Sequence, residues 1–203
     1  MDEDAEAFGS ESDWVSASSA RTAGLAGRDG LDADQRLEKG ADLLNHLKGI
    51  KSLRAPGRLA VYRSIGSEVD LRTAEAGWRQ AGWNLFLPRI TALGVMEFVA
   101  FEQDSPLAAN RYGIDEPDGE AIVPLRLDAV LCPCVAVDSH GTRIGFGAGY
   151  YDRALANLPG VAGVDRPLLV GLAWDAQVLG RIQLEDWDVP MDLVVTESGI
   201  LRE

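Results

Sequence analysis

Between residues 143 and 153 the chain reads Arg-Ile-Gly-Phe-Gly-Ala-Gly-Tyr-Tyr-Asp-Arg, and these residue types at this spacing suit an anion site. Alternating glycines at 145, 147 and 149 let the backbone approach a ligand closely and turn its N–H groups toward it. The segment from Gly149 onward, YYDRALANL, has the character of a helix start. A helix N-terminus beside a glycine-rich turn favours negative charge. Arg143 adds a fixed positive charge, and Asp152 a carboxylate suited to magnesium. The chemistry indicated is the binding of a nucleotide's phosphates. The run is not a Rossmann loop, because Gly145-x-Gly147-x-Gly149 is too tight, and not a P-loop, because no Gly-Lys-Ser/Thr follows. Two adjacent tyrosines at a helix start cannot both face the core, so one of Tyr150 and Tyr151 is expected to border a ligand.

Two further clusters carry titratable groups. Glu185-Asp186-Trp187-Asp188 is either a solvated acidic loop or the source of a second magnesium carboxylate, Asp188, acting with Asp152. In Ser64-Ile65-Gly66-Ser67-Glu68-Val69-Asp70, Glu68 either caps a helix or accepts hydrogen bonds from amino and ring N–H groups of a ligand.

These groups need elements to position them. Residues 17–28 are weakly helical; residues 32–49 are better, with Asp32 as cap and Leu37, Leu43, Leu44 and Leu47 near one face. Strands are expected at 58–64, at 83–90 with a break at Pro88, and at 95–101, with an amphipathic helix at 71–82. Residues 102–126 form a long polar segment with three prolines, of the kind that covers a site. The nearly continuous apolar run 127–137 reads as a central parallel strand, and 166–174 and 191–197 as further buried strands. Strands alternating with helices predict an α/β layered fold with a mostly parallel sheet. Ligands bind such sheets at the carboxyl ends of the strands, so the glycine loop, the polar segment and the Trp174–Asp175 turn are expected to share one rim.

Composition narrows the function classes. A chain of 203 residues, 46% hydrophobic and 25% charged, suits one globular domain. The net charge of −13 disfavours nonspecific binding to nucleic acid or to an anionic membrane surface. No window approaches the roughly 18 apolar residues of a membrane span. The acidic start lacks the basic region of a secretory signal. Residues 1–20 hold six acids and no Lys or Arg, so about the first 15 are expected to be a disordered tail, with a single domain over 16–203. Cys132 and Cys134 stand as Cys-Pro-Cys, the wrong spacing for a common metal or redox pair. Both read as buried, reduced thiols of a cytoplasmic protein.

Taken together and in order, these pieces resemble the 5-formyltetrahydrofolate cyclo-ligase family. The matching elements run from Tyr62 through Glu68-Val69-Asp70, Leu87-Pro88-Arg89, Met96-Glu97-Phe98 and Tyr112-Gly113-Ile114-Asp115-Glu116-Pro117. They continue through Asp128–Pro133 and Gly141-Thr142-Arg143 to the glycine loop, then to Gly171–Asp175 and Asp188–Glu197. The resemblance covers about residues 20–197 and is most specific over 128–155. It implies an α/β three-layer sandwich like that of the sugar-isomerase and CoA-transferase group. It implies ATP- and Mg²⁺-dependent closure of 5-formyltetrahydrofolate to 5,10-methenyltetrahydrofolate by a monomer.

Carried over by residue, the resemblance implies that Arg21, Arg143 and the backbone of Ile144, Gly145, Phe146, Gly147, Ala148, Gly149, Tyr150 and Tyr151 hold ATP. Arg143, Tyr150 and Tyr151 would be catalytic, Asp152 and Asp188 would serve magnesium, and Glu68, Tyr112 and Tyr150 would bind the folate. The chain departs from the family pattern in four places. Ala17 stands where a basic residue is usual, four positions before Arg21, with Arg28 as a substitute cation; Ala148, Cys134 and Trp187 are the others. Two alternatives remain: a non-catalytic folate- or nucleotide-binding paralogue, and a sugar-phosphate isomerase or CoA-transferase relative.

Overall fold

The structure is a computed structural model that describes residues 14–53, 55–158 and 166–202. Its centre is an eight-stranded sheet in the order β12-β11-β10-β7-β1-β2-β3-β6. The strands are β1 (Arg58–Ala60), β2 (Asn84–Ile90), β3 (Met96–Ala100), β6 (Ala121–Ile122), β7 (Ala129–Pro133), β10 (Leu168–Leu172), β11 (Leu193–Thr196) and β12 (Gly199–Arg202). Strands β11, β10, β7, β1 and β2 run parallel; β12 at one edge and β3 and β6 at the other are antiparallel additions. Of the apolar run 127–137 read as one central strand, residues 129–133 form β7, flanked on both sides by parallel neighbours, whereas Ala136 and Val137 leave the sheet to pair with Ile144 and Arg143.

Period-2 alternation along these strands feeds two cores. Leu59, Leu85, Ala129, Leu131 and Val170 face one, beneath α2 (Ala33–Gly49) and α3 (Arg72–Gln80). Ala60, Phe86, Val130, Cys132 and Leu169 face the other, beneath α4 (Tyr150–Leu155). Helices on both faces of the sheet make three layers. The chain passes from β1 through α3 to β2 in one direction, and from β7 through α4 to β10 in the other. Right-handed crossovers of opposite direction put their helices on opposite faces, so the winding reverses between β1 and β7. The crevice beyond the carboxyl ends of β1 and β7 is therefore the topological switch point.

Local chemistry explains most boundaries. Asp32 opens α2 with a full capping box: its carboxylate takes the Gln35 N–H at 2.9 Å, and the Gln35 side chain returns to the Asp32 N–H at 3.0 Å. Leu43 and Leu47 are buried, but Leu37 is 72% exposed, against the expected common face. The packed stripe is centred on Gly40, Leu43 and Leu47, and Gly40 lets Trp174 approach the helix axis. Pro88 does not break β2, which pairs with β3 through Pro88↔Phe98. The Phe101 N–H bonds the Leu85 carbonyl and the Val61 N–H bonds the Phe86 carbonyl, so odd residues of β2 turn toward β3 and even ones toward β1. Pro88 thus turns its missing donor to the side where β1 has already ended, and no ladder bond is lost.

The segment 102–126 is not one loop. It contains the hairpin β4 (Leu107–Ala109) and β5 (Asp115–Pro117), then β6. Glu116 ties that hairpin to the sheet: its Oε1 accepts the Ile90 N–H at 2.9 Å and the Asn110 side-chain amide at 2.6 Å. Helix α1 (Ala17–Asp29) starts at the Ser16 cap and docks through Gly24 and Gly27. A Cβ on Gly24 would lie 2.0 Å from the Val135 carbonyl oxygen, and one on Gly27 2.2 Å from that of Ala176. The helix backbone therefore rests on neighbouring backbone. Most of the expected acidic tail lies outside the described residues. Val15, assigned to it, bridges to Ile182 and exchanges backbone bonds with Arg181 and Gln183.

Candidate active site

A cavity of about 390 Å³ opens at the switch point. Its walls come from the ends of β1, β2 and β7, the start of α1, the β4–β5 hairpin, the glycine loop and the 185–188 turn. Arg21, Glu68, Tyr112, Arg143 to Asp152, and Asp188 all line it, so one cavity gathers the residues that the resemblance assigned to ATP, folate and magnesium.

The glycine loop follows the short hairpin β8 (Ala136–Val137) and β9 (Arg143–Ile144). Asp138 fixes the hairpin turn. Its Oδ1 accepts the N–H groups of His140 and Thr142, both at 2.9 Å, and its Oδ2 that of Ile182 at 3.0 Å. Gly147 has φ +102° and Gly149 φ +63°, a region costly to residues with a Cβ, so glycine is required where the loop turns into α4. Arg21 reaches from α1 to donate its Nε–H to the Gly145 carbonyl at 2.9 Å and lies against Gly147.

Arg143 and Asp152 are paired with each other, Nη2 to Oδ1 at 2.8 Å, with Arg143 almost fully buried and stacked over the Tyr151 ring. The Val189 N–H, just after Asp188, approaches the same Oδ1 at 3.5 Å. The two aspartates assigned to magnesium therefore sit on one wall. Among the described residues no group of three or more His, Cys, Asp or Glu is poised to hold a metal. Two carboxylates fit an ion that takes its remaining ligands from phosphate and water. Asp152 Oδ2 is the oxygen not engaged by Arg143 or Val189. The Asp188 carboxylate also closes its own turn on the Glu185 N–H at 2.9 Å.

Both tyrosines line the cavity and both pack half-buried against one core, against the expectation that the two could not share it. Burial pushes the Tyr151 hydroxyl well up from its ordinary pKa, whereas Tyr150 turns to the cavity mouth. There its hydroxyl meets that of Tyr112 at 3.1 Å and receives the Arg111 guanidinium at 2.8 Å. The bond to Tyr112, then that from Arg111, lowers the Tyr150 pKa. The hairpin tip is thus tied to α4 across the opening.

On the opposite wall, Glu68 is 8% exposed. It does not cap α3, whose first N–H, that of Arg72, is taken by Asp70 instead. Its Oε2 accepts the Ile65 N–H at 2.8 Å, closing the turn after β1. Burial raises its pKa; the Ile65 bond and the Arg28 charge oppose that rise. Arg28 is committed to Glu68 at 3.4 Å and is not beside Ala17, where a substitute cation was expected. Trp174 does not line the cavity. It holds the turn from beneath, donating its indole N–H to the Ser67 carbonyl at 2.8 Å.

Sequence reasoning missed several wall residues, among them Tyr62, Pro88, Met96, Asn110 and Glu116. Their common signal is position: each lies at the carboxyl-end rim of the sheet or on the hairpin above it.

A sequence model of the 5-formyltetrahydrofolate cyclo-ligase family matches residues 15–197. The 5-formyltetrahydrofolate cyclo-ligase of Escherichia coli K12 is 33% identical over 179 residues, covering 85% of this chain and 96% of its own length. That of Mycolicibacterium smegmatis is 31% identical over 201 residues, covering 92% and 96%. The solved structure of Aquifex aeolicus 5,10-methenyltetrahydrofolate synthetase superposes with a TM-score of 0.78 at 31% identity, covering 92% of this chain and 93% of that one. With its switch-point cavity and glycine loop, the chain belongs to the 5-formyltetrahydrofolate cyclo-ligase family.

Proposed function

We propose that this cyclo-ligase uses ATP to close 5-formyltetrahydrofolate to 5,10-methenyltetrahydrofolate. An amide-type oxygen is a poor leaving group until it is phosphorylated. In this reading the formyl oxygen takes the γ-phosphoryl group and ADP departs. N10 then attacks the activated carbon and gives up its proton, and the C–O bond breaks to release phosphate. The protein's part is positioning and charge neutralisation.

The observation that carries the reading is that one cavity bears two unlike walls. One is a glycine loop at a helix start with Arg21 and Arg143, suited to phosphates. The other is a buried carboxylate, Glu68, suited to the amino and ring N–H groups of a pterin. Tyr112 and Tyr150 stand between them, where an aromatic body can stack. Asp152 and Asp188 would hold magnesium, which when bound with ATP neutralises phosphate charge. Arg143 fixes the orientation of the Asp152 carboxylate through the 2.8 Å bond to its Oδ1.

Purified protein with fresh 5-formyltetrahydrofolate and Mg-ATP is expected to generate the methenyl chromophore, with ADP released in step. Chelating magnesium should stop it. No growth in absorbance at any reasonable enzyme concentration overturns the reading.

A further inference from the structure

The guanidinium of Arg28, in the last turn of α1, stands behind the cavity wall and touches both halves of it. Its side chain is 4% exposed, as is that of Glu68. Its Nη1 lies 3.4 Å from Glu68 Oε1, and its plane sits 5.0 Å from the centroid of Phe146 in the glycine loop. Phe146 and Glu68 line the cavity. Gly66, at φ +61°, bends the 65–68 turn back toward Arg28. The remaining contact is Asp29 at 3.7 Å, whose carboxylate is mostly in solvent. Arg28 Nε is buried and has no hydrogen-bond partner among the described residues.

This is a poor arrangement for stability alone. A buried cation with a long ion pair and an unsatisfied donor is usually matched or bettered by an apolar side chain of similar volume. Its value lies in what it holds. Resting on the cyclo-ligase reading, we propose that Arg28 is a positioning residue: its buried ion pair holds the Glu68 carboxylate aimed for the folate while its face carries the Phe146 tip of the ATP loop.

The charge environment of Glu68 allows a clean test. From α1 it faces Arg28, with Asp29 next to it. Tyr62 follows β1, Tyr151 lies on α4 and Cys134 follows β7. Burial raises the pKa of both tyrosines and of Cys134, so all three stay neutral in the working range. Arg28 is thus the charge that opposes protonation of Glu68. Folate affinity should fall as pH drops through the Glu68 pKa. An opposite charge at this range lowers an acid by about 1–3 pH units, so its removal should move the acid limb up by about one unit.

The test measures 5-formyltetrahydrofolate binding by calorimetry without ATP, from pH 5 to 8, beside kcat/KM for both substrates and the melting temperature. Arg28→Met is expected to shift the acid limb of folate binding upward by about one unit, so that affinity falls by up to about tenfold on the acid side of the limb. Arg28→Lys is expected to restore the limb, because it keeps the charge. The double variant Arg28→Met/Glu68→Gln buries no unpaired charge and covers the case in which Arg28→Met does not fold. Its folate affinity should match that of Glu68→Gln alone. A folded Arg28→Met with the wild-type limb and affinity overturns the proposal, as does a double variant weaker than Glu68→Gln by the full tenfold. Wild-type protein that binds folate without turnover refutes the cyclo-ligase reading but leaves this binding test of Arg28 intact.

Discussion

Removing Arg143 should separate its structural role from its proposed catalytic one. The Arg143–Asp152 pair is 2.8 Å long with side chains 4% and 16% exposed. At 2.8 Å and an effective dielectric of about 20, the attraction is about 6 kcal/mol before desolvation is subtracted. Deleting one partner of a buried pair costs about 3–5 kcal/mol, because the other charge is stranded. Asp152 retains some access to water, so Arg143→Met should lie near the lower figure, about 3 kcal/mol. For a chain of this size that is a fall in Tm of about 6–12 °C. Arg143→Met/Asp152→Leu strands neither charge and should recover at least half of that loss. Activity should not recover, since the double variant lacks both the proposed phosphate cation and the proposed magnesium carboxylate. Calorimetric melting and KM for ATP give the two readouts. A single variant melting within about 2 °C of wild type would show that the pair is not energetically coupled. A double variant no more stable than the single one would refute the stranded-charge argument.

Other expectations follow from packing at the rim. Gly24→Ala places a methyl on the Val135 carbonyl, with backbone on both sides of the clash. It should cost stability at the upper end of about 1–3 kcal/mol, and raise KM for ATP by shifting Arg21. Wild-type kinetics in a folded Gly24→Ala protein would contradict the link between α1 docking and Arg21. Tyr112→Phe loses the hydroxyl contact to Tyr150 but keeps the ring, so KM for folate should change by only about twofold. Tyr112→Ala should raise it much more; equal effects from the two would argue against stacking.

Much of the site was legible because its chemistry is local. The glycine loop, the α2 cap and the apolar run of β7 each occupy consecutive residues, and local rules describe them. What was missed depends on partners distant in the chain. Pro88 looks like a strand breaker until β1 is seen to end short of it. Leu37 fits a helical stripe whose packed part is set by Trp174 against Gly40. The 102–126 segment reads as a loop because Glu116 finds its partners at Ile90 and Asn110 across the hairpin. Arg28 reads as a substitute for the cation missing at Ala17, and only the fold sets it against Glu68 and Phe146.

The two cysteines acquire a use from where they lie. Cys132 lies one residue before the end of the central strand at 0% exposure, Cys134 just beyond that end at 2%, and burial pushes the Cys132 thiol up to about 12 and Cys134 higher still. At pH 8 only about one Cys132 in ten thousand is a thiolate while the strand is covered, whereas an exposed cysteine has a pKa near 8.5. Reaction with a thiol reagent therefore reports opening of the central sheet. Labelling rates with and without substrates would time how often the floor of the site comes apart, using a clock already present in the wild-type chain.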